Sequence, residues 1–253
     1  MDYKFKNLPG VIKEGKVINS NFGHISHLTG SKMIDNADIL LDSKAQEKFT
    51  KCKRNKDDLV IITEKVDGMN AGVYKADNGL LYPINRKGYD ARQMGTQYKE
   101  LEFLGLVWSV WVDKHYEIYD KILEKGERLV FENCILQHTL KYNFKDTEPV
   151  FLLAKYNKDG NKVCFNDLAE IAIANNIETP PLLNIGSAIP PEIIINQYPK
   201  GKLGVSEMIE GIVYNYEHNG EHEACAKFVS NPIMGTINNI PSKYNNFKYR
   251  IFD

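Results

Sequence analysis

Apolar and polar positions along this chain alternate in short runs rather than in long helical stripes. DLVIIT at 58–63 is a β-branched apolar run of the kind that forms a buried strand. Residues 70–75 and 80–86 flank Asp77-Asn78-Gly79, which predicts a hairpin. Further strands are predicted over 128–135 and 149–156, and another hairpin over 212–216 and 224–229 around His218-Asn219-Gly220. From Thr96 to about Lys125, Leu101, Leu104, Val107, Trp108 and Trp111 recur three and four residues apart. That spacing predicts an amphipathic helix or helix pair, ended by Gly126. Asn157-Lys158-Asp159-Gly160 reads as a turn, and Asn166 as the cap of a helix running through Ile171 and Ile173 to about Asn175. The proline-rich stretch 179–191 is expected to be a connection. Residues 1–57 are polar and mixed, punctuated by Gly10, Gly15, Gly23 and Gly30. They end in the basic run KCKRNK at 51–56, expected as a solvated loop or helix end. Strands dominate and helices lie between them, so the pattern predicts a mixed α/β domain with antiparallel hairpins and no internal repeats.

Composition adds limits more than content. The 253 residues suffice for one large domain or two small ones. Hydrophobic content of 43% and charged content of 26% are ordinary for a globular protein. A formal net charge of -1 excludes a polycation that coats nucleic acid, so a nucleic-acid partner would need a local basic patch. Cys52, Cys134, Cys164 and Cys225 are far apart and show no paired metal-ligand spacing. The first residues, MDYKFKNLPG, lack the apolar core of a leader, and no run approaches the roughly 18 apolar residues of a membrane span. The expectation is a reduced, cytoplasmic protein with no membrane partner.

The chemistry concentrates in Glu64-Lys65-Val66-Asp67-Gly68-Met69-Asn70, where a lysine leaves an apolar strand just before Asp-Gly. An amine is a nucleophile only when deprotonated, which burial or neighbouring cations favour. Asp67 is placed to orient the lysine or bind a ribose hydroxyl, and Gly68 to let backbone approach a ligand. Alone, K-x-D-G is also an ordinary surface turn. Five more candidates follow in order: Arg86 in INRK, Glu132 in LVFEN, Phe151 in VFLL, Glu210 in EGIV and Lys227 in AKFV. His218 and His222 flank a hairpin turn rather than one helical face, so they are expected as exposed turn residues. His138 is expected as a structural hydrogen-bonding residue.

This ordered set resembles the six motifs of the covalent nucleotidyltransferase superfamily of ligases and mRNA capping enzymes. Asn70 after the Asp-Gly, FENCILQHTLKY at 131–142 and SHLTGS at 26–31 are similar to the ATP-dependent RNA ligase branch. The resemblance runs from about residue 24 to 232. It implies an α/β (α+β) adenylation domain with two packed antiparallel sheets, flanking helices and the nucleotide between the sheets. The whole chain, 1–253, would be one such domain, with an N-terminal extension (1–30) and a short C-terminal tail (231–253). The 26 residues after Lys227 are too few for the OB-fold that follows the last motif in DNA ligases and capping enzymes.

By the same resemblance, Lys65 is the catalytic nucleophile, taking AMP from ATP before passing it to a 5′-phosphate that a 3′-hydroxyl then attacks. Glu64, Asp67, Gly68, Asn70, Arg86, Glu132, Phe151, Glu210 and Lys227 would bind the nucleotide. Phe151 would stack on adenine, Lys227 would hold the α-phosphate, and Arg86 the ribose or a 5′-phosphate. Glu132 and Glu210 would hold Mg²⁺ (or Mn²⁺). The implied substrates are broken or nicked RNA ends, with an accessory or end-healing enzyme as a possible partner in RNA repair. A minimal DNA nick ligase and a catalytically silent end-binding protein are the alternatives. Three positions depart from the family pattern: Cys225 stands where a second basic residue often precedes the last lysine, Lys155 where an Asp often follows the aromatic strand, and Phe131 where Gly is frequent.

Overall fold

The structure, a computed structural model, describes all residues except 1–2, 21, 34–35, 37, 52–54, 97–101, 145–146, 206–207, 232–245 and 248–253, with the side chains of 94–96 and 246–247 also outside the description. The predicted strands form two main sheets. The first contains β1 (Ser26–His27), β2 (Asp58–Lys65), β8 (Leu182–Gly186), β9 (Gly211–His218) and β10 (Glu221–Val229), in the order β1-β10-β9-β2-β8. The second contains β3 (Met69–Lys75), β4 (Leu81–Asn85), β5 (Arg128–Asn133) and β7 (Val150–Tyr156), in the order β4-β3-β5-β7. All pairings in these two sheets are antiparallel except β1 with β10, which is parallel. A separate parallel pair joins β6 (Asn143–Phe144) to β11 (Asn246–Phe247).

Two-residue periodicity decides what each face of the first sheet does. Val60, Ile62, Ile212, Tyr214, Ala226 and Phe228 are buried in one core with Phe49 of helix α1 (Ser43–Thr50) and Ile194 of helix α5 (Pro191–Gln197). Thr63, Lys65, Val213, Asn215, Cys225 and Lys227 alternate with them and face a cleft. In the second sheet Ala71, Val73, Leu129 and Phe131 pack under helix α2 (Glu102–Lys114), helix α3 (Tyr116–Ile122) and Leu168 of helix α4 (Phe165–Ala174). Asn70 and Glu132, which are direct cross-strand partners, line the cleft instead.

Several local expectations hold. The helix pair is α2 and α3, although 97–101 lie outside the described residues. In the β9–β10 hairpin Asn219 and Gly220 take φ of 52° and 80°, the paired positive values of a tight strand-twist-matched turn. Others change. The proline-rich stretch holds strand β8, because Pro180 and Pro181 end where Leu182 begins pairing with the free edge of β2. Helix α4 begins one residue before the expected cap: its N-cap is Cys164 without a side-chain bond, and the Phe165 amide donates to Glu217 Oε1 of β9 at 2.6 Å. A tertiary contact thus replaces the local cap. Residues 1–57 contain α1, capped by Asp42, whose carboxylate accepts from Lys44 N and Ala45 N at 2.9 Å each. Of the basic run, 52–54 lie outside the described residues.

The expected N-terminal extension is packed into the fold. Tyr3, Phe5 and Leu8 lie against the α2–α3 core, and the buried Asp113 carboxylate accepts from the amides of Lys6, Asn7 and Leu8. Further along, Val17 N and Ile18 N donate to Gly88 O. The strap then delivers Phe22, Gly23 and Ile25 to the cleft. Most of the expected C-terminal tail lies outside the described residues. Among the described residues no helix is long and apolar enough to cross a membrane.

Candidate active site

A cavity of about 540 Å³ opens between the two sheets and helix α4. Lys65 ends β2, directly opposite Gly211 of β9, and reaches into this cavity with its side chain 24% exposed. A side chain at Gly211 would collide with the Phe228 carbonyl, so the glycine of Glu210-Gly211 allows β9 and β10 to close beside the lysine. Lys65 Nζ donates to Glu210 Oε2 at 2.6 Å. Burial works against its positive charge, but Glu210 and then Glu132 outweigh burial and hold its pKa above the ordinary lysine value. The resting lysine is therefore an ammonium paired with a carboxylate, not the free amine that nucleophilic attack requires.

Glu132 projects from β5 beside this pair and accepts the Gly68 amide at 3.1 Å. Burial pushes its carboxyl up to about 7, with Glu210 and Asp67 adding to the rise and Lys65 opposing it. Glu210 is raised as well, by burial, against the pull of Lys65. Two carboxylates thus share one ammonium in a partly buried site.

Asp67 and Gly68 line the cavity, and each is also tied into the scaffold. Both Asp67 oxygens are taken by protein: Oδ1 by the His138 ring at 2.7 Å, Oδ2 by the amides of Thr139 and Leu140 at 2.8 and 2.7 Å. Burial favours its neutral form, yet these bonds hold its pKa below the ordinary carboxylate value. Its own amide donates to Tyr142 Oη at 2.8 Å. Asp67 is therefore a staple for the loop after β5, and His138 is its partner, as a structural histidine should be. At Gly68 an added Cβ would lie 2.6 Å from Cys134 Sγ and 2.7 Å from Asn133 O. Gly68 thus lets the chain pass close to the end of β5.

Glu64 points away from the Lys65 face. It is 1% exposed and accepts the Lys202 amide on Oε2 at 2.7 Å, anchoring the loop before β9. Asn70 lines the cavity, with Nδ2 3.5 Å from Phe131 O. Arg86 and Lys227 line it too, bonded to His24 Nδ1 (3.4 Å) and Asp38 Oδ1 (3.3 Å) respectively.

The structure does not bring Phe151 to the cavity. It shares a face with Glu132, but Phe144, with ring centroids 5.8 Å apart, helps cover it in a core that also holds Tyr142, leaving it 1% exposed. Leu152, Val163, Phe165 and Val213 form the apolar walls instead. Lys162, Asn215 and Glu217 also line the cavity and carry no motif signature. The two β9 residues were accessible from the sequence, since positions 215 and 217 continue the alternation that places Val213 in the cleft. Lys162 gave no signal of its own. The histidine expectation holds for the tip of the turn only: Asn219 and Gly220 are exposed, whereas His222 is partly buried and His218 Nδ1 bonds Asp58 at 2.8 Å.

The profile of the RNA ligase family matches residues 58–229, from the first residue of β2 to the last of β10. The chain belongs to the RNA ligase family. Its match covers the whole span from Lys65 to Lys227 that supplies the Lys65–Glu210–Glu132 cluster. Among solved structures, a putative ATP-dependent DNA ligase from Aquifex aeolicus aligns with 82% of the chain at 15% identity and a TM-score of 0.50, using 49% of its own length. An archaeal ATP-dependent RNA ligase aligns with 87% of the chain at 13% identity and 0.46, over 50% of its length. The Naegleria gruberi RNA ligase solved with pyrophosphate aligns with 88% at 16% identity and 0.44, over 61%. At such identities the likeness is one of fold, and the chain spans about half the length of the first two ligases. No curated protein matches the sequence.

Proposed function

We propose that this member of the RNA ligase family is an ATP-dependent ligase that joins 5′-phosphate and 3′-hydroxyl RNA ends through a lysyl-AMP intermediate on Lys65. The observation that carries this reading is Lys65 held between Glu210 and Glu132 on the floor of a cavity large enough for a nucleotide. A silent end-binding protein has no need of two partly buried carboxylates around one lysine, an arrangement that is costly unless it is used.

In the first step the Lys65 ammonium passes one proton through Glu210, the group it already touches, to solvent. The freed amine attacks the α-phosphorus of ATP. A N–P bond forms as the bond from α-phosphorus to the bridging oxygen breaks, pyrophosphate leaves with the electron pair, and the second amine proton goes to water. Lys227 and Arg86 place positive charge where phosphoryl oxygens gain negative charge. The purine fits between Val213 and the Leu152, Val163 and Phe165 walls, with Phe165 as the aromatic there in place of Phe151.

The residues fit a divalent cation carried with the nucleotide. Among the described residues no three His, Cys, Asp or Glu side chains are grouped to hold a metal by themselves. Glu132 and Glu210 supply two oxygen-donor groups, the usual protein share for Mg²⁺ when phosphates and water complete the shell. Bound there, the cation would neutralise phosphoryl charge.

Incubation with α-labelled ATP and Mg²⁺ tests the reading. Wild type should retain label through denaturation and Lys65→Ala should not; label on the variant would overturn the assignment. Matched nicked substrates then separate RNA from DNA sealing, and equal rates would remove the RNA preference.

A further inference from the structure

We propose that Asp38, which lies outside the matched span 58–229, is a positioning residue that aims the Lys227 ammonium at the α-phosphate of the nucleotide. This deepens the ligase reading and rests on it.

The chain before the matched span builds an extra edge on the first sheet. β1 runs parallel to β10, with Ser26 opposite Ala226 and His27 opposite Lys227. Leu28 N and Lys32 N donate to Lys227 O and Val229 O at 2.9 Å each, which holds this register. On its other side His27 pairs with Leu40: His27 N donates to Ile39 O at 2.7 Å, and Leu41 N to His27 O at 2.9 Å. Gln46 of α1 ties the two limbs together, accepting Thr29 N at 2.8 Å and donating to Leu41 O at 2.7 Å. Asp38 thus stands on a braced segment beside the edge of the cleft.

Residues directly opposed on neighbouring strands share a face, so His27 lies on the Lys227 side of the sheet. Lys227 Nζ donates to Asp38 Oδ1 at 3.3 Å, with both side chains mostly covered. His27 Nε2 touches the same oxygen at 3.0 Å without an aligned hydrogen bond. Its Nδ1 meets Ser31 Oγ at 2.6 Å, and that hydroxyl oxygen accepts Val229 N at 2.9 Å. The buried ring is therefore tied to β10 on one side and backs the carboxylate on the other.

Charge decides which neighbour holds Asp38. Burial lowers the His27 pKa, Asp38 opposes, and the charges of Lys227 and Lys65 add to the fall. His27 is thus neutral near pH 7 and leaves the Asp38 charge to Lys227. The register sets Lys227 one row from the nucleophile: Thr63, two residues before Lys65, is opposite Val213, and Val213 is opposite Lys227. Both lysines line the cavity, and both act on the His27 ring. An ammonium on a flexible four-carbon stem is poorly aimed unless something holds it. Among the described residues Lys227 makes this one hydrogen bond, so two of its three donors remain for phosphoryl oxygens. A cation held in place beforehand needs no reorganisation when those oxygens gain negative charge.

The test uses the full chain as wild type, Asp38→Ala, Asp38→Asn, Lys227→Met and the double variant Asp38→Ala/Lys227→Met, with circular dichroism and melting confirming each fold. Two quantities are read. One is the single-turnover rate of label transfer from ATP to Lys65. The other is affinity, by calorimetry, for an ATP analogue whose α–β bridge is a methylene that cannot be cleaved. Lys227→Met should slow transfer by on the order of a hundredfold and weaken the analogue about tenfold. Asp38→Ala should slow transfer about tenfold and weaken the analogue about threefold, because the ammonium is present but no longer held. Asp38→Asn, which keeps the shape and loses the charge, should slow transfer about threefold. It takes the place of alanine in both variants if Asp38→Ala does not fold. In the double variant both quantities should equal those of Lys227→Met, since Asp38 acts through that lysine. Losses that multiply in the double variant would make Asp38 a structural residue and overturn the inference, as would wild-type values in the single variant. The two readings fail separately. Analogue binding that follows this pattern with no label on wild type removes the ligase reading alone, and label transfer that needs Lys65 but ignores Asp38 removes this one alone.

Discussion

Two lysines line the same cleft in opposite electrostatic states. Lys65 is paired with Glu210 at 2.6 Å, and its pKa is held up; Lys162 touches only the Asn215 amide at 2.6 Å, and its pKa is pushed down. Burial works against the charge of both, so burial alone does not set the sign. The carboxylates do: Glu210 and Glu132 face Lys65, whereas Glu217 near Lys162 directs an oxygen to the α4 amide. One end of the cleft thus holds an ion pair and the other an ammonium bonded to a neutral amide.

The largest change should come from Lys65→Ala, with enzyme-bound label falling to background while melting is near that of wild type, since the side chain is partly exposed. Glu210→Gln should come next. It leaves the Lys65 ammonium without its ion-pair partner, and label transfer should drop by on the order of a hundredfold, with about 2 kcal/mol lost from stability. A chemical-denaturation series and single-turnover labelling read the two effects, and wild-type transfer in this variant would break the contrast between the two lysines.

A smaller effect is expected from Asp67→Asn, a change that removes charge from the staple while keeping its size. Only one oxygen remains, so either the His138 ring or the Thr139 and Leu140 amides lose their acceptor, costing about 1–3 kcal/mol. An unchanged melting temperature would return Asp67 to the ligand-binding role read from the sequence.

The smallest effect concerns His222, at the Lys162 end. Burial and then the Lys162 charge lower its pKa to about 4, from an unfolded value near 6.5. The folded protein binds this proton less readily than the unfolded chain. Its contribution is therefore intact above pH 6.5 and is lost as pH falls from there toward 4, by about 1 kcal/mol after discounting for partial exposure. Melting curves from pH 7.5 to 4.5 should show a shallower acid limb in His222→Gln, and equally steep limbs would mean that the ring titrates normally.

Much of this was legible in the chain itself. Alternating apolar residues marked β2, β3, β5, β7, β9 and β10, and the Asp-Asn-Gly and His-Asn-Gly turns fixed two hairpins. The order Lys65, Arg86, Glu132, Glu210, Lys227 carried the family, and all five line one cavity. Phe151 was misplaced for a physical reason. A strand aromatic declares its burial but not which neighbour covers it, and the Phe144 that covers Phe151 follows a loop that Asp67 holds at Thr139 and Leu140.

Local order along the chain thus determined the strand pattern, the turns and the K-x-D-G motif around Lys65, because those depend on neighbours within a few residues. Tertiary structure alone decided that Asp67 and Gly68 also brace the scaffold, that Glu217 caps α4, and that residues 3–8 pack on the α2–α3 core while Phe22, Gly23 and Ile25 join the cleft. It alone set Lys162 beside Asn215, 53 positions away. Charge and solvation act through space, so the state of each lysine was fixed by groups that the sequence lists far apart and only the fold brings together.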